Sequence, residues 1–326
     1  MAVVATPPER RPASGPDGAS TEPRPASRRE RPRGLARIEA RNSYLFMLPA
    51  VLGFLLFTLG PMIFSLVMSF MDYGVITAPQ WVGLDNWRRA LFEDPLVWQS
   101  LRVTLYYAVG SVVLTSVLAF LVALLMNQPI VGQRVFRTIY YMPSVISGVP
   151  VAILWTWIFN PTIGVINTAL RWVGIEGPRW LTSPEWVIPA LILMSSWSIG
   201  GAMVIYLAGL QGVPNELYEA AQLDGAGAVR RTLSITLPMV SPVIFFNLVM
   251  SIIGSLQVFT QAYVMTEGGP INSSLFAVLY IYRNAFFYFQ MGYGSTLAWI
   301  LFLVIGLLTL LVFRSQRIWV HEEAQS

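Results

Sequence analysis

From Tyr44 onward the chain alternates long apolar runs with short polar ones, and six of the apolar runs reach about 20 residues. A helix rises about 1.5 Å per residue, so a run of that length crosses roughly 30 Å of hydrocarbon. The pattern predicts spans over 44–71, 103–126, 138–159, 187–210, 239–262 and 293–313. Pro49 and Pro61 in the first run, and Pro143 and Pro150 in the third, read as kinks, which membrane helices tolerate when neighbours satisfy the freed carbonyls. Residues 1–36, rich in Pro, Arg, Ser, Gly and Ala, hold too little apolar surface to offset the entropy of ordering and are expected to be a disordered cytoplasmic tail. They lack the compact apolar stretch and cleavage site of a signal peptide, so no processing is expected. Residues 37–318 form the predicted transmembrane domain and 319–326 a second polar tail. The predicted fold class is an all-α integral membrane protein with six transmembrane helices.

Charge placement orients these spans, because short basic segments stay on the cytoplasmic side. Arg28, Arg29, Arg31, Arg33, Arg37 and Arg41 precede the first run, Arg134 and Arg137 follow the second, Arg230 and Arg231 follow the fourth, and Arg314 and Arg317 close the last. All of these fall inside if the N-terminus is inside. The alternate loops mix signs, as in Asp85, Arg88, Arg89, Glu93 and Asp94, then Arg171, Glu176, Arg179 and Glu185. Both termini are therefore expected in the cytoplasm. Trp81, Trp87, Trp98, Trp172, Trp180 and Trp186 lie in or beside the predicted outer loops and read as interfacial anchors.

Composition agrees and removes several chemistries. Hydrophobic residues make up 55% of the 326, charged residues 12%, and mean hydropathy is +0.59, far too apolar for an ordinary soluble domain. There is no cysteine, and His321, the single histidine, sits in the polar C-terminal tail, where a solvated side chain is the favoured reading. With no lysine, the chain cannot build the GxxxxGK[ST] loop that cradles nucleotide phosphates, so any ATPase must be a separate subunit. An autonomous ion-coupled carrier normally needs ionisable side chains at membrane depth. The central portions of the six runs carry no acid, lysine or histidine, which disfavours that alternative and an intramembrane enzyme alike.

One segment departs from this lean design. Val213 to Pro238 is polar and helix-compatible; Pro214 suits a helix start, and Glu216 and Glu219 favour its first turn through the helix dipole. Leu217, Ala220, Ala221 and Asp224 recur at i, i+3, i+4 and i+7, a face small enough for another surface to approach the backbone. Gly225 and Gly227 supply a stop and turn, with Asp224 expected to cap the next helix.

Glu219-Ala220-Ala221, three residues, Gly225, nine residues, Ile235, one residue and Leu237-Pro238 match the spacing of the cytoplasmic EAA loop. On this loop the chain resembles the permease subunits of binding-protein-dependent ABC importers. Val82-Gly83-Leu84-Asp85-Asn86-Trp87 is similar to the family's outer-loop segment, Arg137-Thr138-Ile139-Tyr140-Tyr141-Met142-Pro143 to the entry of its third core helix, and Thr266-Glu267-Gly268-Gly269-Pro270 to the turn after the fifth helix in its carbohydrate-uptake branch, which includes the maltose transporter subunits. The resemblance implies a type I ABC importer transmembrane domain in a bacterial cell membrane. Its partners would be a second permease subunit, a dimer of ATP-binding subunits and an extracytoplasmic solute-binding protein, with no nucleic acid involved. ATP and Mg would be used by the ATPase, and this chain would bind no cofactor and catalyse nothing itself. Glu219 would be the charged contact in the ATPase groove, Ala220 and Ala221 the close-packing surface, and Asp224 and Gly225 the turn. The implied cargo is a sugar, an oligo- or disaccharide first, with glycerol phosphate or a polyol as alternatives.

The candidate substrate pathway lies in the fourth and fifth runs. Asn247, Ser251, Ser255, Val258 and Gln261 follow steps of about one helical turn, with Gln257 close by, and Ser195, Ser196, Ser198, Gly200 and Gly201 form a similar polar patch. Either stripe faces a watery cavity or packs helices through small residues. The resemblance maps sugar contacts to Trp197, Ser198 and Gly201, and to Ser251, Gly254, Ser255, Gln257 and Val258. The maltose-type subunit carries aromatic or asparagine side chains at the positions of Gly254, Ser255 and Val258, so here the second permease has room to make most contacts.

Overall fold

The computed structural model describes residues 33–75 and 78–320, and the chain divides into two compact units, one ending at Leu59 and one starting at Gly60. The first contains a helix, Arg33–Phe54, with Pro49 inside it, followed by a wide π turn, Leu55–Leu59. Helix begins at Arg33 rather than after residue 36, because Ala36, Arg37, Glu39 and Ala40 are good helix formers. The rest of the expected disordered tail, and His321, lie outside the described residues.

Three stretches are continuous helices long and apolar enough to cross a membrane: Asn42–Met68, Pro95–Met126 and Met291–Trp319. The second begins eight residues before its predicted start because Asp94 and Pro95 open it. The Asp94 carboxylate accepts from Leu96 N–H at 2.9 Å, and Pro95 needs no amide partner in the first turn.

The other three predicted spans are broken. Gln133–Val145 and Gly148–Ile158 meet at 101°, Val187–Ser198 and Gly200–Gln211 at 50°, and Ala228–Met239 and Ser241–Leu256 at 70°. Pro143 lies in the 3-10 turn Met142–Val145 that ends the first piece and Pro150 in the opening turn of Gly148–Ile158, so the two prolines flank a break instead of kinking one continuous helix. In the fourth span, Ser195 and Ser196 donate to the carbonyls of Ile192 and Leu193 at 2.6 and 2.7 Å, competing with the helical ladder just before Gly200 and Gly201. In the fifth predicted run, 239–262, the main helix is Ser241–Leu256; the chain leaves it at Gln257 and turns helical again from Thr260 into the π turn Ala262–Thr266.

Pro95–Met126 is the mast of the second unit, with Val187–Ser195, Gly200–Gln211, Ser241–Leu256 and Ala277–Tyr282 packed on it. Its buried Ala108, Ala119 and Ala123 allow close approach, while Val109, Val113, Val117, Leu121 and Leu125 form an exposed apolar stripe four residues apart, suited to hydrocarbon. Two apolar clusters fill the interior. One joins Leu101 and Tyr107 to Trp155, Phe159, Leu191, Phe276 and Leu297. The other joins Ala119 and Ala123 to Met203, Tyr206, Leu210 and Val240.

The ends of the second unit differ. Where residues 69–95 meet 257–296, polar side chains clamp backbone. Asn86 Nδ2 donates to Ser69 and Met71 carbonyls at 3.2 and 2.8 Å, and Thr296 donates to Ser69 O at 3.0 Å. Asp94 also accepts from Tyr280 and Tyr293 at 2.5 and 2.6 Å, and the Arg89 guanidinium lies 4.1 Å over the Tyr293 ring. Burial first, then the hydrogen bond to Asp94, raises the Tyr280 phenol above its ordinary value, so it stays a donor. The Thr266–Pro270 motif forms the predicted turn: Glu267 and Gly268 adopt positive φ, and Ser274 Oγ ties Thr266 Oγ1 at 2.8 Å.

Candidate functional site

At the opposite end stands the helix expected from the polar loop, Asn215–Leu223. Its stop is a Schellman turn: Ala226 N–H bonds the Ala221 carbonyl at 2.8 Å, Gly225 N–H bonds that of Gln222 at 3.0 Å, and Gly225 adopts φ +74°. Only a residue without Cβ takes that conformation at little cost, which accounts for glycine at the position the motif fixes. Asp224 does not cap the following helix. It is the C-cap residue of Asn215–Leu223, and Ala228–Arg231 starts after Gly227 with no side-chain cap.

Helix faces also resolve differently from the predicted small-residue face. Tyr218 and Ala221 turn inward and are half-buried, whereas Glu216, Glu219, Ala220 and Leu223 are exposed, again at helical spacing. Leu217 and Asp224 are exposed as well, so the face predicted from Leu217, Ala220, Ala221 and Asp224 is mostly open, with Ala221 at its inner margin. Leu223, 90% exposed, is the most open apolar side chain of the helix.

Tyr218 is the inward anchor. Its hydroxyl meets Thr236 Oγ1 at 2.9 Å, and its ring packs on the cluster around Met203 and Leu210. Beneath the helix lies a polar cavity of about 310 Å³, with Asn127, Gln128, Gln222, Arg231 and Thr232 among its walls. Neither Tyr218 nor Leu223 was singled out from sequence. Spacing three residues inward from Ala221 could have found the tyrosine; no sequence signal marks which leucine is left bare.

The candidate pathway residues differ in their surroundings. Trp197, 37% exposed, sits at the break in span four, edge-on to Trp155 at 6.0 Å, with Ser198 exposed beside it. Gly201 and Gly254 have open space where a side chain would project. Ser251, Gly254, Ser255, Gln257 and Val258 follow the fifth span to its break, and Val258 packs on the core cluster that contains Trp155. Asn247 leaves the expected stripe: it is 4% exposed and bonds the Val243 carbonyl at 3.3 Å, one turn back in its own helix. Ser255 bonds Ile252 O at 3.0 Å in the same manner. Helix satisfaction thus explains part of the stripe, and the half-buried Gly201 and the exposed Gly254 and Gln257 remain available to a cavity.

The breaks approach one another through glycine. A side chain at Gly200 would lie 2.4 Å from the Tyr140 carbonyl oxygen, and one at Gly148 would touch Thr260 at 3.5 Å. Of the tryptophans read as anchors, Trp81 and Trp172 are exposed, whereas Trp87 donates to Ser69 Oγ at 3.2 Å and Trp180 donates to the buried Asn167 at 2.7 Å. Those two are structural pins.

Residues 112–321 match the family described as "Binding-protein-dependent transport system inner membrane component". The chain is 44% identical over 286 residues to the "Probable ABC transporter permease protein YesP" of Bacillus subtilis (strain 168), covering 86% of this chain and 92% of that one. It is 36% identical to the "Lactose transport system permease protein LacF" of Rhizobium radiobacter, covering 85% and 94% respectively. Among solved structures, it is similar to a chain of a bacterial alginate ABC transporter in complex with alginate pentasaccharide-bound periplasmic protein. There the TM-score is 0.76 and identity 27%, with 87% of this chain and 96% of that chain covered. With the match running from the long helix to the end of the last span, and relatives of this kind covering most of the chain, the chain belongs to the inner-membrane permease components of binding-protein-dependent ABC transporters.

Proposed function

We propose that this permease imports a sugar, an oligo- or disaccharide, delivered by an extracytoplasmic solute-binding protein and driven by a separate pair of ATP-binding subunits. A second permease completes the pore. The sugar names carried by relatives support the cargo class, and the periplasmic protein bound in the alginate transporter supports delivery by a binding protein. Both termini and the Asn215–Leu223 helix lie on the cytoplasmic side in this reading, supported by the arginines at 134, 137, 230, 231, 314 and 317. Nucleotide and Mg belong to the partner ATPase, since this chain has no lysine for a phosphate loop.

The observation that carries the mechanism is the exposed stripe Glu216, Glu219, Ala220 and Leu223 on a short helix stopped by Gly225. A helix so presented can be gripped on one side, and Tyr218 and Ala221 transmit the load to the spans on the other. Glu219 supplies the charged contact, Ala220 the close approach with Ala221 at its inner margin, and Asp224 and Gly225 the turn. Closure of the ATPases would move the helix and, through it, the broken fourth and fifth spans, where Trp197, Ser198, Gly201, Ser251, Gly254, Ser255, Gln257 and Val258 border the pathway. Breaks in spans concentrate motion and expose backbone to cargo.

The test is Glu219→Lys in the assembled transporter. Uptake is expected to fall at least about tenfold, a loss of roughly 1.4 kcal/mol of coupling contact, with membrane abundance unchanged. Normal uptake at normal abundance would refute the coupling role. Thermal-shift screening of the binding protein against a sugar panel identifies the cargo.

A further inference from the structure

Aromatic rings at the clamped end are concentrated just beyond the candidate pathway. Phe259, one residue past Val258, stacks on Tyr263 with centroids 5.2 Å apart and planes 13° from parallel. Tyr282 meets these two rings edge-on at 5.1 and 5.5 Å, and Phe286 follows Tyr282 at 5.6 Å. Beside this ladder opens a cavity of about 380 Å³ lined by Tyr263, Glu267, Tyr282, Arg283, Phe287 and Tyr288.

The Arg283 guanidinium in it is held in place by backbone. Arg283 donates to the Glu267 carbonyl oxygen, and Glu267 adopts φ 48° in the turn before Gly268. The Glu267 carboxylate is exposed and forms no ion pair among the described residues. Rings that only anchor a protein in lipid headgroups need neither a concave arrangement nor a carboxylate and guanidinium between them, and hydrocarbon would not solvate those charges. A sugar ring uses all of these features. Its C–H face covers an aromatic face, while its rim of hydroxyls donates to a carboxylate and accepts from a guanidinium and phenols. The volume falls in the range of small-molecule sites and suits one or two rings.

We propose that this cavity is a carbohydrate subsite at the delivery-side mouth of the pathway, holding a pyranose ring of an oligosaccharide between its release from the binding protein and its arrival at Val258 and Gly254. Opposite charges in one cavity fit neutral sugars better than polyanions. The proposal rests on the sugar-import reading.

The experiment uses the complete assembly in nanodiscs, trapped with ATP and vanadate, without binding protein. Labelled maltotriose, xylotriose and trigalacturonate are titrated by equilibrium dialysis against wild type, Tyr263→Ala, Tyr288→Ala and Glu267→Gln. A neutral trisaccharide is expected to bind wild type and to bind each variant about three- to tenfold more weakly, as loss of one ring contact or one charged acceptor implies. Half-saturation by loaded binding protein, read from stimulated ATP hydrolysis, is expected to stay within about twofold. Equal sugar affinity in all variants overturns the subsite, as does failure of wild type to bind any of the three. Weakened docking of binding protein with unchanged sugar affinity overturns it too, and makes the cavity a protein contact. Wild-type assembly that imports no sugar from its loaded binding protein overturns the import reading itself, whereas import with variant-insensitive affinity removes only the subsite.

Discussion

The two ends of the second unit are built on opposite plans. At the end holding residues 69–95 and 257–296, Asn86, Asp94, Tyr280, Tyr293 and Thr296 stitch helix starts to loop backbone through several partly or fully buried hydrogen bonds. At the end holding Asn215–Leu223, one hydroxyl pair, Tyr218 with Thr236, ties the helix down, and its outer stripe is bare. Clamped backbone resists deformation, whereas a lightly tethered helix yields to whatever grips it. Under the coupling role proposed for that helix, load enters at the lightly tethered end and acts against the clamped one.

Substitutions sharpen that contrast when abundance and uptake are measured together. The largest effect is expected from Asp94→Ala, which removes the cap of the long helix and leaves two tyrosine hydroxyls without their acceptor. The expected loss is about 3–5 kcal/mol, seen as a lower thermal midpoint in detergent and depleted membrane protein. Asp94→Asn, which retains an accepting oxygen, is expected to recover part of it. Gly292→Ala comes next. Its methyl would lie 2.0 Å from the Met71 carbonyl oxygen, so the last span must shift, costing about 1–3 kcal/mol and again lowering abundance.

Effects at the other end should fall on transport instead. Gly225→Val forces a β-branched residue into φ +74°, where nothing crowds the side chain but the backbone conformation costs about 1–2 kcal/mol. Uptake is expected to drop severalfold while the thermal midpoint moves little, because only the turn is strained. Tyr218→Phe, which deletes the tether hydroxyl and leaves Thr236 to find another partner, is expected to cost about 1 kcal/mol and reduce uptake about twofold. Should Tyr218→Phe deplete the protein as strongly as Asp94→Ala, the distinction between the ends would collapse.

Much of the site was legible along the chain. The spacing from Glu219 to Pro238 located the helix, its glycine stop and its family, because a Schellman turn imposes a residue type at a fixed offset. Which face of that helix stays open was not legible: Leu217, Ala220, Ala221 and Asp224 looked equivalent until Tyr218 was seen anchored on Thr236. In the polar stripe of the fifth span, Asn247 takes the packing alternative for a related reason. An amide in an apolar run must be satisfied, and sequence does not say whether a cavity or the helix's own carbonyl does it. Apolar length likewise did not reveal the breaks at residues 146–147, 199 and 240.

The sequence by itself determined that this is a membrane protein, how many apolar segments it has and where a polar helix and its glycine stop lie, since those depend on hydrocarbon thickness and local backbone chemistry. Only the tertiary structure decided which segments stay straight, which polar side chains find partners far along the chain, and which faces remain bare. Those outcomes depend on contacts between residues such as Asp94 and Tyr293, 199 positions apart, and no local pattern encodes a meeting at that separation.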